Sequence, residues 1–217
     1  MALTHHSLAA QSGETRSIVV LLHGFGANGA AMLGLAQALS ITLPDTAFVA
    51  PDAPDQVPGR PGARMWYTIP ELDGSSVDEA DARLQVSAKL LAAFLDDQLA
   101  ETGLPASAMA LIGFSQGAGL CYEAGPRRQE QLGGVVAIAG RMKRKDALLH
   151  EAQSRPPYLI VTGADDRLLG TDEITTTADA LSKAGIPVKR FVMVGTGHAI
   201  SGDGMSAARD FLKACLP

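Results

Sequence analysis

Three residue types that together can activate a nucleophile stand at the ends of short apolar runs. A serine lies in Gly113-Phe114-Ser115-Gln116-Gly117, two aspartates in Gly163-Ala164-Asp165-Asp166, and a histidine in Gly195-Thr196-Gly197-His198-Ala199. A serine hydroxyl is a weak nucleophile until a base removes its proton. A histidine base in turn needs a carboxylate to hold its tautomer and stabilise its cation. The chemistry such a set performs is acyl transfer through a covalent intermediate. The G-x-S-x-G pattern is common by chance, and its setting gives it weight. It follows the strand-like run Met109 to Phe114 and opens into the helix-like GAGLCYEA. In a strand-turn-helix the serine sits on a sharp turn with its hydroxyl above the sheet. The flanking glycines let neighbouring chain pack against that turn.

Of the five histidines, His5 and His6 fall in the N-terminal segment and His150 in a polar stretch, and all three read as solvated surface. His23 ends the first long apolar run, just before Gly24, and reads as a brace for the loop that follows. His198 comes directly after the last apolar run, where a catalytic base belongs. Asp165 and Asp166 both follow YLIVTGA, and only one of them can orient the base. The chain order is therefore serine, acid, histidine. Acyl transfer also needs donors for a developing oxyanion. The amide of Gln116, next to the serine, is one expected donor. The amide of Phe25, in Leu22-His23-Gly24-Phe25-Gly26, is the other, with Gly24 and Gly26 allowing close approach of the backbone.

The elements that must hold these residues alternate. Ser17 to His23, Thr46 to Ala50, Met109 to Phe114, Gly134 to Ala139, Tyr158 to Gly163 and Val188 to Val194 are apolar runs of strand length, several rich in β-branched residues. Runs of that kind suit strands buried on both faces. Gly24 to Gly29 is a bend, and Ala30 to Ser40 has helical periodicity. Ser76 to Glu101 is the clearest helix: Ser76 and Glu79 form a capping box, and Val77, Ala80, Leu84, Ala88, Leu91 and Leu95 make one apolar stripe. Gly103 and Pro105 end it. Further helices are expected at about Asp172 to Ala184 and Gly204 to Cys215. Asp52 to Gly74, rich in Pro, Gly and aromatic residues, reads as a long functional loop. The pattern predicts an α/β fold, an open and mostly parallel sheet with helices on both faces and chemistry beyond the carboxyl ends of the strands.

Composition narrows the classes. The chain has 217 residues, 47% hydrophobic and 19% charged, with a formal net charge of −5. This suits one domain, residues 1–217, with an ordinary core. The acidic balance argues against nucleic-acid partners. No apolar run approaches the length of a membrane span, and the first residues have no basic or apolar targeting segment. Cys121 and Cys215 form no close pair, so neither a disulfide framework nor a zinc site is expected, and the cytoplasm is the simplest location. No phosphate loop, dinucleotide fingerprint or metal-ligand spacing appears.

Taken together, LLHGFGAN (Leu21 to Asn28), GFSQGA (Gly113 to Ala118), GVVAIAGRM (Gly134 to Met142), GADDRLL (Gly163 to Leu169) and GHAIS (Gly197 to Ser201) resemble the phospholipase/carboxylesterase family of α/β hydrolases, which includes the acyl-protein thioesterases. The resemblance spans about Ser17 to Leu212. It implies the α/β-hydrolase fold, Ser115 as nucleophile, Asp166 as acid, His198 as base, and Phe25 and Gln116 as oxyanion donors. It picks Asp166 over Asp165 because the family's acid stands just before the segment matched by Arg167-Leu168-Leu169. It implies a serine carboxylesterase acting without a cofactor on small-molecule esters of short to medium acyl chain, with no stable membrane insertion. Acyl-protein thioesterase or lysophospholipase activity is the alternative, and a non-catalytic binding protein the remoter one. Some relatives pair, so a homodimer is open, although no residue here compels it. Two positions depart from the family: Thr68 stands where an Asp is frequent, and Arg167 where Pro commonly follows the acid. Trp66 and Tyr67 read equally as pocket walls or as packing for the long loop. Cys121 reads as core. The basic run Arg141, Lys143, Arg144 and Lys145 reads as a solvated turn or, less simply, a surface for anionic lipid or acyl-protein.

Overall fold

The computed structural model describes residues 3–217. The apolar runs become six strands of a seven-stranded sheet. In chain order the strands are β1 (His5–Leu8), β2 (Ser17–Leu22), β3 (Thr46–Pro51), β4 (Asp55–Gln56), β5 (Arg64–Met65), β6 (Met109–Phe114), β7 (Gly134–Ile138), β8 (Tyr158–Gly163) and β9 (Val188–Met193). The helices are α1 (Leu33–Ser40), α2 (Pro70–Asp73), α3 (Val77–Thr102), α4 (Gln116–Ala124), α5 (Lys145–Glu151), α6 (Thr171–Lys183) and α7 (Gly202–Cys215).

The sheet order is β1-β3-β2-β6-β7-β8-β9, with β4 and β5 forming a separate short ladder. All neighbours in the large sheet run parallel except β1, which pairs antiparallel with β3. The chain winds outward from β2 to β3, then crosses back to place β6 on the other side of β2. Loops after β2 and β6 therefore diverge and leave a crevice at the carboxyl ends, the place where open α/β sheets bind ligands. Register aligns those ends: Leu22 pairs with Gly113, Phe114 with Ile138, and Gly163 with Met193.

Alternation along each strand feeds two cores. Ile18, Val20 and Leu22 face Leu84, Leu91 and Leu95 of α3 and Leu120 of α4, with α5 and α6 extending that layer. Val19 and Leu21 face Ala36 and Leu39 of α1 and Phe211 and Leu212 of α7. The fold class is the α/β arrangement the sequence predicts. Ser76 caps α3 through the expected box, its side chain accepting from Glu79 N–H while Glu79 accepts from Ser76 N–H, and Gly103 closes the helix with φ 68°.

Three features differ from the sequence reading. β1 forms from an exposed polar tetrapeptide, an edge strand with no apolar alternation to announce it. The segment 52–74 contains the β4–β5 ladder and α2. The helix anticipated from Ala30 begins as a 3₁₀ turn, Gly29–Met32, capped by Asn28, and becomes α-helical at Leu33.

Candidate active site

Ser115 is the single residue between β6 and α4, with φ 53° and ψ −112°. Such a conformation is costly for a side chain with a Cβ and persists only where the surroundings hold it. Two bonds do so: Ser115 N–H donates to Ile138 O at 2.8 Å, and its own carbonyl accepts from Gly119 N–H at 3.1 Å. The flanking glycines are forced by packing. A Cβ on Gly113 would lie 2.4 Å from Gly117 O, and one on Gly117 would lie 2.1 Å from Leu22 O. The turn is thus wedged against the end of β2, and Ser115 Oγ stands above the sheet.

His198 Nε2 lies 2.9 Å from Ser115 Oγ, and its Nδ1 lies 2.8 Å from Asp166 Oδ2. With Nδ1 protonated, the ring donates to the carboxylate and accepts from the hydroxyl, the tautomer a general base requires. Asp166 is fully buried at its side chain. Its other oxygen, Oδ1, accepts from the amides of Leu168 at 2.9 Å and Leu169 at 3.3 Å. Those bonds fix the orientation of the carboxylate. Neighbouring Asp165 points to solvent, and its amide donates to Thr196 O at 2.9 Å. That bond ties the acid loop to the base loop. The His198 ring also packs on Phe114, with centroids 5.3 Å apart.

The loop after β2 lies against Ser115: a Cβ on Gly24 would approach Ser115 Cβ to 3.3 Å. The Phe25 amide finds no acceptor among the described residues. The Gln116 amide, first in α4, has no acceptor within its own helix. Both expected donors therefore lack a backbone acceptor among the described residues, Phe25 on the loop after β2 and Gln116 at the start of α4 next to Ser115.

His23 is fully buried behind them. Its Nε2 accepts from Ala53 N–H at 3.1 Å, so Nδ1 carries the proton and donates to Gly24 O at 2.8 Å. Burial pushes its pKa below the usual value, only partly opposed by the bond to Gly24. It acts as the loop brace read from the sequence.

Trp66 and Tyr67 bind that brace to the nucleophile turn. The Trp66 indole N–H donates to His23 O at 3.0 Å, and Tyr67 Oη donates to Gln116 O at 3.3 Å. The Gln116 side chain accepts from Trp66 N–H at 2.8 Å and donates to Tyr67 O at 2.6 Å. Ser87 of α3 donates to Trp66 O. Trp66 has no exposed surface and Tyr67 is 5% exposed. Of the two readings, these contacts favour packing over pocket walls. The roles of Ser87 and of the Gln116 side chain carry no signal in the sequence, because each partner is remote in the chain.

The remaining candidates lie elsewhere. His5 and His6 are exposed on β1, His6 lying 3.8 Å from Asp52, and His150 is exposed on α5. Cys121 is buried in α4, where burial pushes its thiol pKa up, and Cys215 is half-buried; both are free thiols. Among the described residues no His, Cys, Asp and Glu group could hold a metal ion, and no helix is long and apolar enough to cross a membrane. A groove of about 820 Å³ lies between α3, α4 and α5, lined by mixed charges including Asp96, Glu123, Arg127 and Arg128, and away from Ser115.

Comparison with known proteins gives the family. The family described as phospholipase/carboxylesterase matches residues 3–216. The solved structure of esterase PE8 superposes with a TM-score of 0.93 at 34% identity, covering 100% of both chains. Esterase YpfH of Escherichia coli (strain K12) is 26% identical over 217 residues, 99% of this chain and 90% of the relative. Acyl-protein thioesterase 1 of Yarrowia lipolytica is 30% identical over 162 residues, 71% of each chain. The chain belongs to the phospholipase/carboxylesterase family and is a carboxylic ester hydrolase with the α/β-hydrolase fold.

Proposed function

We propose that this carboxylesterase works through an acyl-enzyme on Ser115, with His198 as general base, Asp166 as its orienting acid, and the Phe25 and Gln116 amides as oxyanion donors. The observation that carries the proposal is the unbroken hydrogen-bonded line Ser115–His198–Asp166 at the carboxyl ends of parallel strands. Ser115 Oγ attacks the ester carbonyl while His198 Nε2 takes its proton. The oxyanion so formed faces the two free amides, which strengthen their bonds as charge builds. His198 then returns the proton to the leaving alkoxide. Water enters, gives a proton to His198 and attacks the acyl-enzyme; collapse releases the acid and restores Ser115. No cofactor has a part in these steps.

We further propose short- to medium-chain esters as substrates. Supporting this, the 52–74 segment is pinned at Trp66 and Tyr67 to His23 and Gln116, and the His198 side chain keeps 24% exposure, so the site stays open to small molecules. The chain is proposed to act as a single domain in the cytoplasm, free of nucleic acid and of stable membrane insertion. Every proposed catalytic group comes from one chain, so a homodimer, where it forms, leaves each site complete. The similarity to an acyl-protein thioesterase favours thioester or long-chain hydrolysis as the second reading. Hydrolysis of p-nitrophenyl esters from acetate to palmitate tests both. A peak at short chains that disappears in Ser115→Ala supports the proposal. A long-chain peak moves the assignment to the second reading, and undiminished hydrolysis by Ser115→Ala overturns the mechanism.

A further inference from the structure

The basic run after β7 splits in two. Arg144 pairs with Glu123 and with Glu151 at 2.7 Å, and Lys145 with Glu173 at 2.6 Å. Arg141 and Lys143 have no carboxylate partner among the described residues. Arg141 Nη2 donates to Leu168 O at 3.0 Å, leaving its other N–H groups uncommitted, and Lys143 Nζ lies 5.5 Å from the centre of the Tyr67 ring. Both follow Gly140, whose backbone packs on the serine turn: a Cβ there would lie 2.6 Å from Ser115 O. On the opposite side Arg60, exposed in the turn between β4 and β5, brings Nη1 to 3.9 Å from the Cβ position of Gly26, the residue after Phe25. Arg60 makes no side-chain hydrogen bond or ion pair among the described residues. Arg167, next to Asp166, is exposed and likewise unpaired.

The carboxylates of the same loops are mostly committed. Asp166 holds His198, Asp52 accepts from Gly29 N–H at 2.8 Å, Asp55 pairs with Arg83 at 3.6 Å, and Asp73 accepts from the amides of Ile69 and Ser75, both at 2.9 Å. Asp165 and Glu71 are the exposed exceptions. In a chain of net charge −5, four cations without a carboxylate partner among the described residues thus come from segments around the site: Arg60 against Gly26, Arg141 and Lys143 just after Gly140, and Arg167 next to Asp166. A guanidinium is suited to carboxylates because its planar fork can donate two parallel bonds. A rim of one sign also concentrates opposite charge at the mouth.

We infer that Arg60 and Arg141 select esters carrying a carboxylate within a few bonds of the scissile carbonyl, with Lys143 and Arg167 adding to the field. This rests on Ser115 as nucleophile and deepens that reading. Two matched pairs test it, each corrected for spontaneous hydrolysis: mono-p-nitrophenyl adipate against p-nitrophenyl hexanoate places the charge on the acyl side. The acetate of m-hydroxybenzoate against phenyl acetate places it on the alcohol side. The expected result is a kcat/KM ratio favouring the anionic member of at least one pair by about tenfold, shrinking as salt is added. Arg60→Gln should lower that ratio, Arg60→Lys should retain most of it, and Lys183→Gln, at the far end of α6, should leave it unchanged. Should the Arg60 variants fail to fold, the salt dependence of the wild-type ratio decides. Neutral members preferred in both pairs, or a ratio indifferent to salt and to Arg60→Gln, overturns the inference. Loss of neutral-ester hydrolysis in Ser115→Ala reports separately on the nucleophile, so the two ideas fail independently.

Discussion

Oε1 of Gln116 accepts the backbone N–H of Trp66 at 2.8 Å, joining residues 50 apart in sequence. The same side chain donates to Tyr67 O at 2.6 Å, while its own amide is the proposed oxyanion donor. One residue thus clasps the long loop and, in the proposed mechanism, lends its amide to the reacting oxygen. Gln116→Ala would leave Trp66 N–H and Tyr67 O buried without partners, at about 1–3 kcal/mol each. It should also lower kcat by about tenfold, less than the ~10²–10³ of losing an oxyanion donor outright. Urea denaturation and steady-state kinetics on a neutral ester check both, and an unchanged midpoint would refute the clasp.

Asp166 and Asp165 are adjacent, yet only Asp166 meets His198. Asp166→Asn keeps the shape but loses the charge and favours the wrong tautomer, so kcat should fall by about 10⁴ with the melting temperature little changed. Asp165→Asn should leave neutral-ester kcat near wild type. Equal losses in the two variants would count against the assignment.

Two glycines should respond with opposite signs. A Cβ on Gly117 would sit 2.1 Å from Leu22 O, a backbone atom that cannot swing aside. Gly117→Ala should destabilise at or above the upper end of the ~1–3 kcal/mol usual for overpacking. Gly34, exposed in α1, has open space at its Cβ position. Gly34→Ala should stabilise by ~0.5–1 kcal/mol through helix propensity and a less flexible unfolded chain. Calorimetry on both variants measures the contrast directly.

His23 makes stability depend on pH. Burial disfavours its cation, so the folded ring titrates below the ordinary value of 6.5 at which the unfolded ring titrates. Below that value the unfolded chain binds a proton that the native site resists. The His23 contribution is present above about pH 6.5 and is lost as the pH falls. Protonation of Nε2 would also sever its bond to Ala53 N–H. Thermal midpoints should drop on mild acidification, and less steeply in His23→Gln; parallel pH profiles for the two proteins would exclude His23 as the cause.

The five inner strands were legible because burial on both faces demands continuous apolar runs, and the edge strand β9 was legible from its own apolar residues. The α3 boundaries were legible because Ser76, Glu79 and Gly103 act locally. His5–Leu8 was not, since an exposed edge strand owes its pairing to β3 and to no pattern of its own. The serine turn was readable from its glycines. The choice between Asp165 and Asp166 came from family resemblance, because adjacent residues after one strand are equivalent until the chain turns toward Thr196. Arg60 and Ser87 could not be read at all: what each does depends on a residue brought near only by the completed fold.

Ser115 and His198 lie 83 residues apart, joined through the parallel ladder from β6 to β9. Parallel pairings close long loops and form slowly. Ester turnover after dilution from denaturant should therefore lag behind far-ultraviolet ellipticity, making the enzyme a clock for its own last assembly step.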